Sequence, residues 1–200
     1  MACVSCDAKR AVVESGHALA ELLPGVPHRP WVLVLPKRLR YFVHRDARLP
    51  GEISRILAEA LTDFYRCRCG APKDAASAQF HVLQRFGSSI SLHLHDHAVV
   101  SDGVFSLENG VLRFHHAPPP SAGEVAALVS GLRRAVLRRM LHLRAVPAAI
   151  ITDLLAWPHS WFSLDAGTLV LGTDRAGLTR LLRLRRLIPE AGALTQAVDV

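Results

Sequence analysis

Tyrosine, lysine and cysteine are all scarce in this 200-residue chain, and each scarcity narrows what the protein can be. Only Tyr41 and Tyr65 carry a phenol, so chemistry that needs one has two places to occur. Of the 24 basic side chains only Lys9, Lys37 and Lys73 are lysine; the charge is almost wholly arginine, whose planar fork matches phosphate. The four cysteines fall in two pairs, Cys3-x-x-Cys6 and Cys67-x-Cys69, which argue for metal or coincidence before a disulfide framework. No stretch reaches the ~18 continuous apolar residues of a membrane span, because Arg, Pro or Gly splits every apolar burst. No basic segment and apolar core follow Met1 as a secretory signal requires. A soluble, cytoplasmic chain with no membrane partner is the expectation.

Half of the residues are hydrophobic, which indicates a globular chain, and the formal net charge is +7 with a pI near 9.9. Such a balance favours a polyanionic partner, nucleic acid first, although an Arg- and Ala-rich coding bias would give the same numbers. Cys3-x-x-Cys6 has the spacing of half a zinc ribbon; Cys67 and Cys69 read as structural or incidental.

The organising stretch is Ser91-Leu92-His93-Leu94-His95-Asp96-His97-Ala98-Val99-Val100. Histidines at spacing two within an apolar run belong on a β-strand, where alternate side chains face the same way, roughly 7 Å apart. His93, His95 and His97 thus form a row on which two imidazoles can converge on one ion, with Zn²⁺, Mn²⁺ and Mg²⁺-like chemistry all open. Residues 79–86 form a second strand, joined to the first by the turn Gly87-Ser88-Ser89, and His81 or Gln84 could face the row as an extra ligand.

Along the rest of the chain the pattern predicts a helix over 7–23 and a linker over 27–30. A strand follows over 31–35, and an amphipathic helix over 50–66. Residues 67–77 read as loop. Asn109-Gly110 makes residues 105–114 a hairpin, and Ser121-x-x-Glu124 is a capping box opening a helix to about Leu143. A strand over 162–170 and a short Arg-rich helix over 176–187 complete it. Between Pro36 and Arg45, basic residues alternate with Tyr41 and Phe42, the combination that pairs phosphates and stacks bases of a single strand. The expected fold class is α+β, an antiparallel sheet with helices packed mainly on one face.

Four blocks in order carry a family resemblance. They are Trp31-Val-Leu-Val-Leu-Pro-Lys-Arg-Leu-Arg-Tyr-Phe, Gln84-Arg-Phe-Gly-Ser-Ser, Leu92-His-Leu-His-Asp-His with Asp102-Gly-Val-Phe, and Leu155-Ala-Trp-Pro-His-Ser-Trp-Phe with Asp174-Arg-Ala-Gly-Leu. Together they resemble the rolling-circle transposases of bacterial insertion sequences, the two-tyrosine class of the HUH nuclease superfamily. The resemblance implies an HUH core that nicks and joins single-stranded DNA. In it His95 and His97, with His93 as a further ligand, hold a divalent ion (Mg or Mn), and a tyrosine forms a phosphotyrosine link. It also implies DNA as partner, at insertion-sequence ends or as single strands, with Lys37, Arg38, Arg40, Tyr41 and Arg85 as binding residues. Cys3 and Cys6 would be the remnant of a zinc ribbon, binding Zn if that remnant is competent, and the setting would be bacterial cytoplasm near the nucleoid.

Three departures accompany it. Asp96 stands where the family has a hydrophobic residue, on the face that Leu94 and Ala98 press into the core, and must find an arginine or damage the strand. Leu184 stands where the family has its nucleophilic tyrosine. The chain also begins within the ribbon and leaves the pattern after residue 183. The expectation is therefore a truncated member divided into 1–27, 28–183 and 184–200, without a catalytic tyrosine. Two other readings compete: a metal-dependent hydrolase or oxygenase with a three-histidine site, and a non-catalytic basic nucleic-acid-binding module.

Overall fold

The computed structural model describes residues 13, 16–86, 92–157 and 161–184, and among these the side chains of all but Leu22, Arg85, Phe86, Leu92, His93, Arg183 and Leu184. Strand β1 (His28–Val34) is central, flanked by β3 (Leu92–Ser101) on one side and the short β6 (Ser163–Ala166) on the other. β2 (Gln79–Phe86) lies outside β3, so the sheet runs β2-β3-β1-β6 with every pair antiparallel. The α+β class with an antiparallel sheet is as the sequence indicates.

β1 begins at His28 and absorbs Pro30, which the sequence pattern assigns to a linker. Its geometry explains why. The carbonyl of Pro30 accepts from Gly167 N at 2.8 Å, so its proton-less nitrogen also faces the β6 side, beyond the Trp31↔Ala166 pair that begins that ladder. A proline there deprives no ladder of a donor.

The two faces of the sheet are covered unequally. Trp31, Leu33, Leu83, Leu94 and Ala98 point into the main core, which is closed by four helices: α1 (Lys37–Arg45), α2 (Arg48–Cys69), α3 (Ala122–His142) and α4 (Ala148–Ala156). α1 is a helix where the sequence reading has only a basic, aromatic-rich segment; Leu39 and Val43, four apart, are its buried stripe. α2 overruns its expected end and stops where Gly70 adopts the left-handed conformation (φ 58°), an ordinary glycine helix stop. α3 starts on the predicted capping box, with Ser121 N donating to Glu124 Oε2 at 2.8 Å and Glu124 N to Ser121 Oγ at 3.3 Å. The hairpin β4 (Gly103–Glu108) and β5 (Val111–His116) turns on Asn109 and Gly110, both at positive φ as expected.

The other face carries a smaller cluster. There Leu182 of α5 (Arg175–Leu184) joins Ala18 and Leu23, at the one-turn π-helical segment Ala18–Leu22, against Phe80 and Val99. Among the described residues no helix is long and apolar enough to cross a membrane.

Candidate metal centre and nucleic-acid interface

Alternation along β3 divides its polar residues between the two faces. His95 and His97 are half-buried on the α5 side, and Asp96 between them is fully buried on the main-core side. The register sets Gln84 of β2 opposite His95 and Val82 opposite His97. Gln84, buried, reaches its amide oxygen between the two rings: Oε1 lies 2.6 Å from His95 Nε2 and 3.1 Å from His97 Nε2. The ring centroids are 4.6 Å apart at 74°. Two imidazole nitrogens thus converge on one carbonyl oxygen.

That donor set fits a divalent cation. Nε2 is a common imidazole ligand atom and an amide oxygen a hard one, a mixture compatible with Mn²⁺, Mg²⁺ or Zn²⁺. Among the described residues no three His, Cys, Asp or Glu side chains gather as a ligand group; the third donor here is an amide. His93 shares the strand parity of the pair, but its side chain is outside the described residues, as are Cys3, Cys6 and the side chain of Arg85. His81 is not a ligand of this row. It lies opposite Ala98 and points into the main core.

α5 lies over the same face. Arg175 near its start donates Nη1 to Leu23 O at 3.3 Å, and Leu182 is buried against Val99. The next same-face residue of β3 is His97, about 7 Å further along. Position 184 closes this helix.

The family model described as "Putative transposase" matches residues 79–189, more than half of the chain. The chain belongs to this transposase family. The matched region contains β2, the histidine strand and position 184, and leaves out the Trp31–Phe42 block. No curated protein and no solved structure matches the chain. Family membership makes DNA the implied partner of the transposase.

Behind the histidine pair the protein buries a chain of polar side chains. Asp96 accepts from Ser54 Oγ at 2.6 Å and faces His81 Nδ1 at 3.3 Å. His81 Nε2 lies 2.8 Å from Gln79 Oε1, whose orientation is fixed because Gln79 Nε2 donates to Ala58 O at 2.9 Å and lies 2.7–2.8 Å from the hydroxyls of Thr62 and Ser77. Both imidazole nitrogens of His81 therefore face oxygen atoms, one of a carboxylate and one of an amide. Burial pushes the Asp96 carboxyl up, and the charge and hydrogen bond of His81 with the Ser54 hydroxyl outweigh it, holding it below its ordinary range. The expected arginine is not what compensates Asp96; a histidine and a serine do, and β3 stays regular.

A second buried network was not foreseen. Arg29 grips Asp102 with both Nε (2.8 Å) and Nη2 (3.1 Å). Tyr65 OH donates to Asp102 Oδ1 at 2.9 Å and accepts from Trp31 Nε1 at 3.2 Å. The only hint in sequence was the Asp102-Gly103 pair after the strand, which reads as a turn. Tyr65 is fully buried, and burial together with the Asp102 charge drives its phenol far above the usual range.

The expected DNA-binding residues are only partly brought together. α1 presents Lys37 and Tyr41 to solvent one turn apart. Arg38 pairs with Asp153 and lies 5.3 Å over the Trp157 ring. Arg40 folds back to donate to Leu35 O at 3.2 Å. Because Leu39 and Val43 root α1 in the main core, this group flanks the end of β1 and does not line the histidine face. Cys69 donates its thiol to His115 O at 3.2 Å, a structural contact.

Proposed function

We propose that this transposase-family protein binds single-stranded DNA through a divalent ion held by His95, His97 and Gln84, with His93 beside them, and that it forms no covalent DNA intermediate. The convergence of both Nε2 atoms on Gln84 Oε1 carries the reading. In the HUH nucleases that the sequence resembles, the bound ion acts as a Lewis acid that polarises the scissile phosphate. The chain's own residues do the rest. β2 and β3 fix the two imidazoles by their register, and Gln84, whose oxygen holds them together, offers a neutral donor. A neutral third ligand leaves the ion's charge less compensated and available to a phosphate oxygen.

Nucleophilic attack is the step for which the chain lacks a group. Leu184 occupies the position that the resemblance gives to tyrosine, at the end of the helix that covers the histidine face. Tyr65 keeps its proton on Asp102 inside the core, and Tyr41 stands on α1, rooted in the opposite face. Neither replaces it.

The test is a covalent trap. The protein is incubated with Mn²⁺ and an end-labelled single-stranded oligonucleotide, then run under denaturing conditions. The native chain should give no label on protein, and Leu184→Tyr should give label that disappears with His95→Ala. Label on the native chain would overturn the inactive assignment.

A further inference from the structure

A cleft of about 460 Å³ opens at the elbow between α1 and α2, away from the histidine pair. Tyr41, Phe42, Arg45, Asp46 and Arg48 line it, and Ala145 closes the far side. Tyr41 is the chain's exposed tyrosine, with 55% of its surface open. Its ring has an organised setting: Arg45 Nη1 donates to the phenol oxygen at 2.6 Å with its guanidinium 5.5 Å from the ring centroid, and Phe42 meets the ring edge-on at 5.5 Å. Arg45 and Phe42 thereby fix the ring where it lines the cleft.

The opposite wall is charged. Arg48 clasps Asp46 through Nε (3.0 Å) and Nη2 (2.7 Å), while the Arg48 backbone N–H donates to Asp46 Oδ1 at 3.0 Å. These bonds, opposed only by slight desolvation, hold the Asp46 carboxyl down to about 2. Arg45 and Arg48 against Asp46 leave one net positive charge in the lining, and the exposed Arg144 adjoins Ala145. An exposed aromatic ring beside a guanidinium charge in excess of the one carboxylate is the pairing that takes a base by stacking and its phosphate by charge.

We propose that this cleft is a subsite for one unpaired nucleobase of a DNA strand, stacked on Tyr41, with the adjoining phosphate on Arg45 and Arg48. The proposal rests on the single-strand DNA reading above and adds a second contact point on the other side of the sheet. It requires an unpaired base, so it separates single strands from duplex, which backbone charge alone does not do.

The experiment measures fluorescence anisotropy of labelled oligothymidylate, of an abasic oligomer of equal length and of a duplex, against the native chain, Tyr41→Phe and Tyr41→Leu. Tyr41 is exposed, and thermal melts followed by circular dichroism verify that both variants fold. The expected result is about a tenfold loss of oligothymidylate affinity in Tyr41→Leu, native affinity in Tyr41→Phe, and no change on the abasic oligomer. Equal binding by Tyr41→Leu and the native chain, or an equal loss on all three nucleic acids, would overturn the base subsite while leaving the DNA reading standing. Failure of the native chain to bind any of the three would overturn the DNA reading itself, and the subsite with it.

Discussion

The amide oxygen of Gln84 lies 2.6 Å from Nε2 of His95 and 3.1 Å from Nε2 of His97, on the face of the sheet that Leu182 of α5 covers. Gln84 thus marks the centre of the candidate site more sharply than the spacing of the histidines does. If it is a ligand, Gln84→Leu should weaken Mn²⁺ binding about tenfold in calorimetric titration, and Gln84→Glu, which adds a charge at the same length, should tighten it. An unchanged affinity in both variants would remove Gln84 from the ligand set.

The Asp96–His81 pair beneath the histidines gives a stability prediction with an internal control. Asp96→Val alone leaves the buried His81 ring without its carboxylate partner and should cost about 3–5 kcal/mol in urea unfolding, whereas Asp96→Val with His81→Leu should recover most of that loss. Its pH dependence follows from the depressed Asp96 carboxyl. The folded state binds this proton more weakly than the unfolded chain does. The contribution of the Asp96 carboxylate is therefore complete above about pH 4 and disappears as pH falls through the lower folded value. Additive single-mutant losses would contradict the pairing.

Tyr65 carries the opposite sign. Its phenol is raised, so the folded protein disfavours tyrosinate, and the stability it supplies is intact below about pH 10 and erodes as pH rises further. In an absorbance titration Tyr65 should contribute no tyrosinate signal until the chain unfolds in alkali. Tyr65→Phe, which removes the acceptor of the buried Trp31 Nε1–H and one of the donors to Asp102 Oδ1, should cost about 1–2 kcal/mol.

Glu52 offers a surface counterpart. Hydrogen bonds from Arg139 and Arg55 hold its carboxyl at about 2, against a small desolvation penalty. Its contribution is present above about pH 4 and lost between there and pH 2. Glu52→Gln should flatten that part of the acid-stability profile. Since the pair is partly exposed, high salt should shrink the difference.

The parts of the fold that could be read in sequence are those with local signals: the period-two histidine row, the Asn109-Gly110 turn and the Ser121/Glu124 box. What escaped depended on register or on distant partners. α1 was masked by its charge, although Leu39 and Val43 held a helical spacing. The sequence pattern places Pro30 outside β1, because only the sheet reveals which side its nitrogen faces. Asp96 was visible as an anomaly, yet nothing local joins it to His81, 15 residues away, until the two strands pair. Gln84 could be named as a possible ligand but not preferred to His81; one residue of parity separates the two faces. Asp102, Arg29 and Tyr65 come from three separate elements and left only the trace of an Asp-Gly pair.

The central claim is that a metal held by His95, His97 and Gln84 is what attaches single-stranded DNA to this protein. Its most direct test is the affinity for a labelled single-stranded oligonucleotide in Mn²⁺, in excess chelator, and in Mn²⁺ with His97→Ala. Binding should be strong in the first case and weakened about equally in the other two. Affinity indifferent to both chelator and His97→Ala would contradict the claim and place DNA binding on surfaces away from the histidine pair.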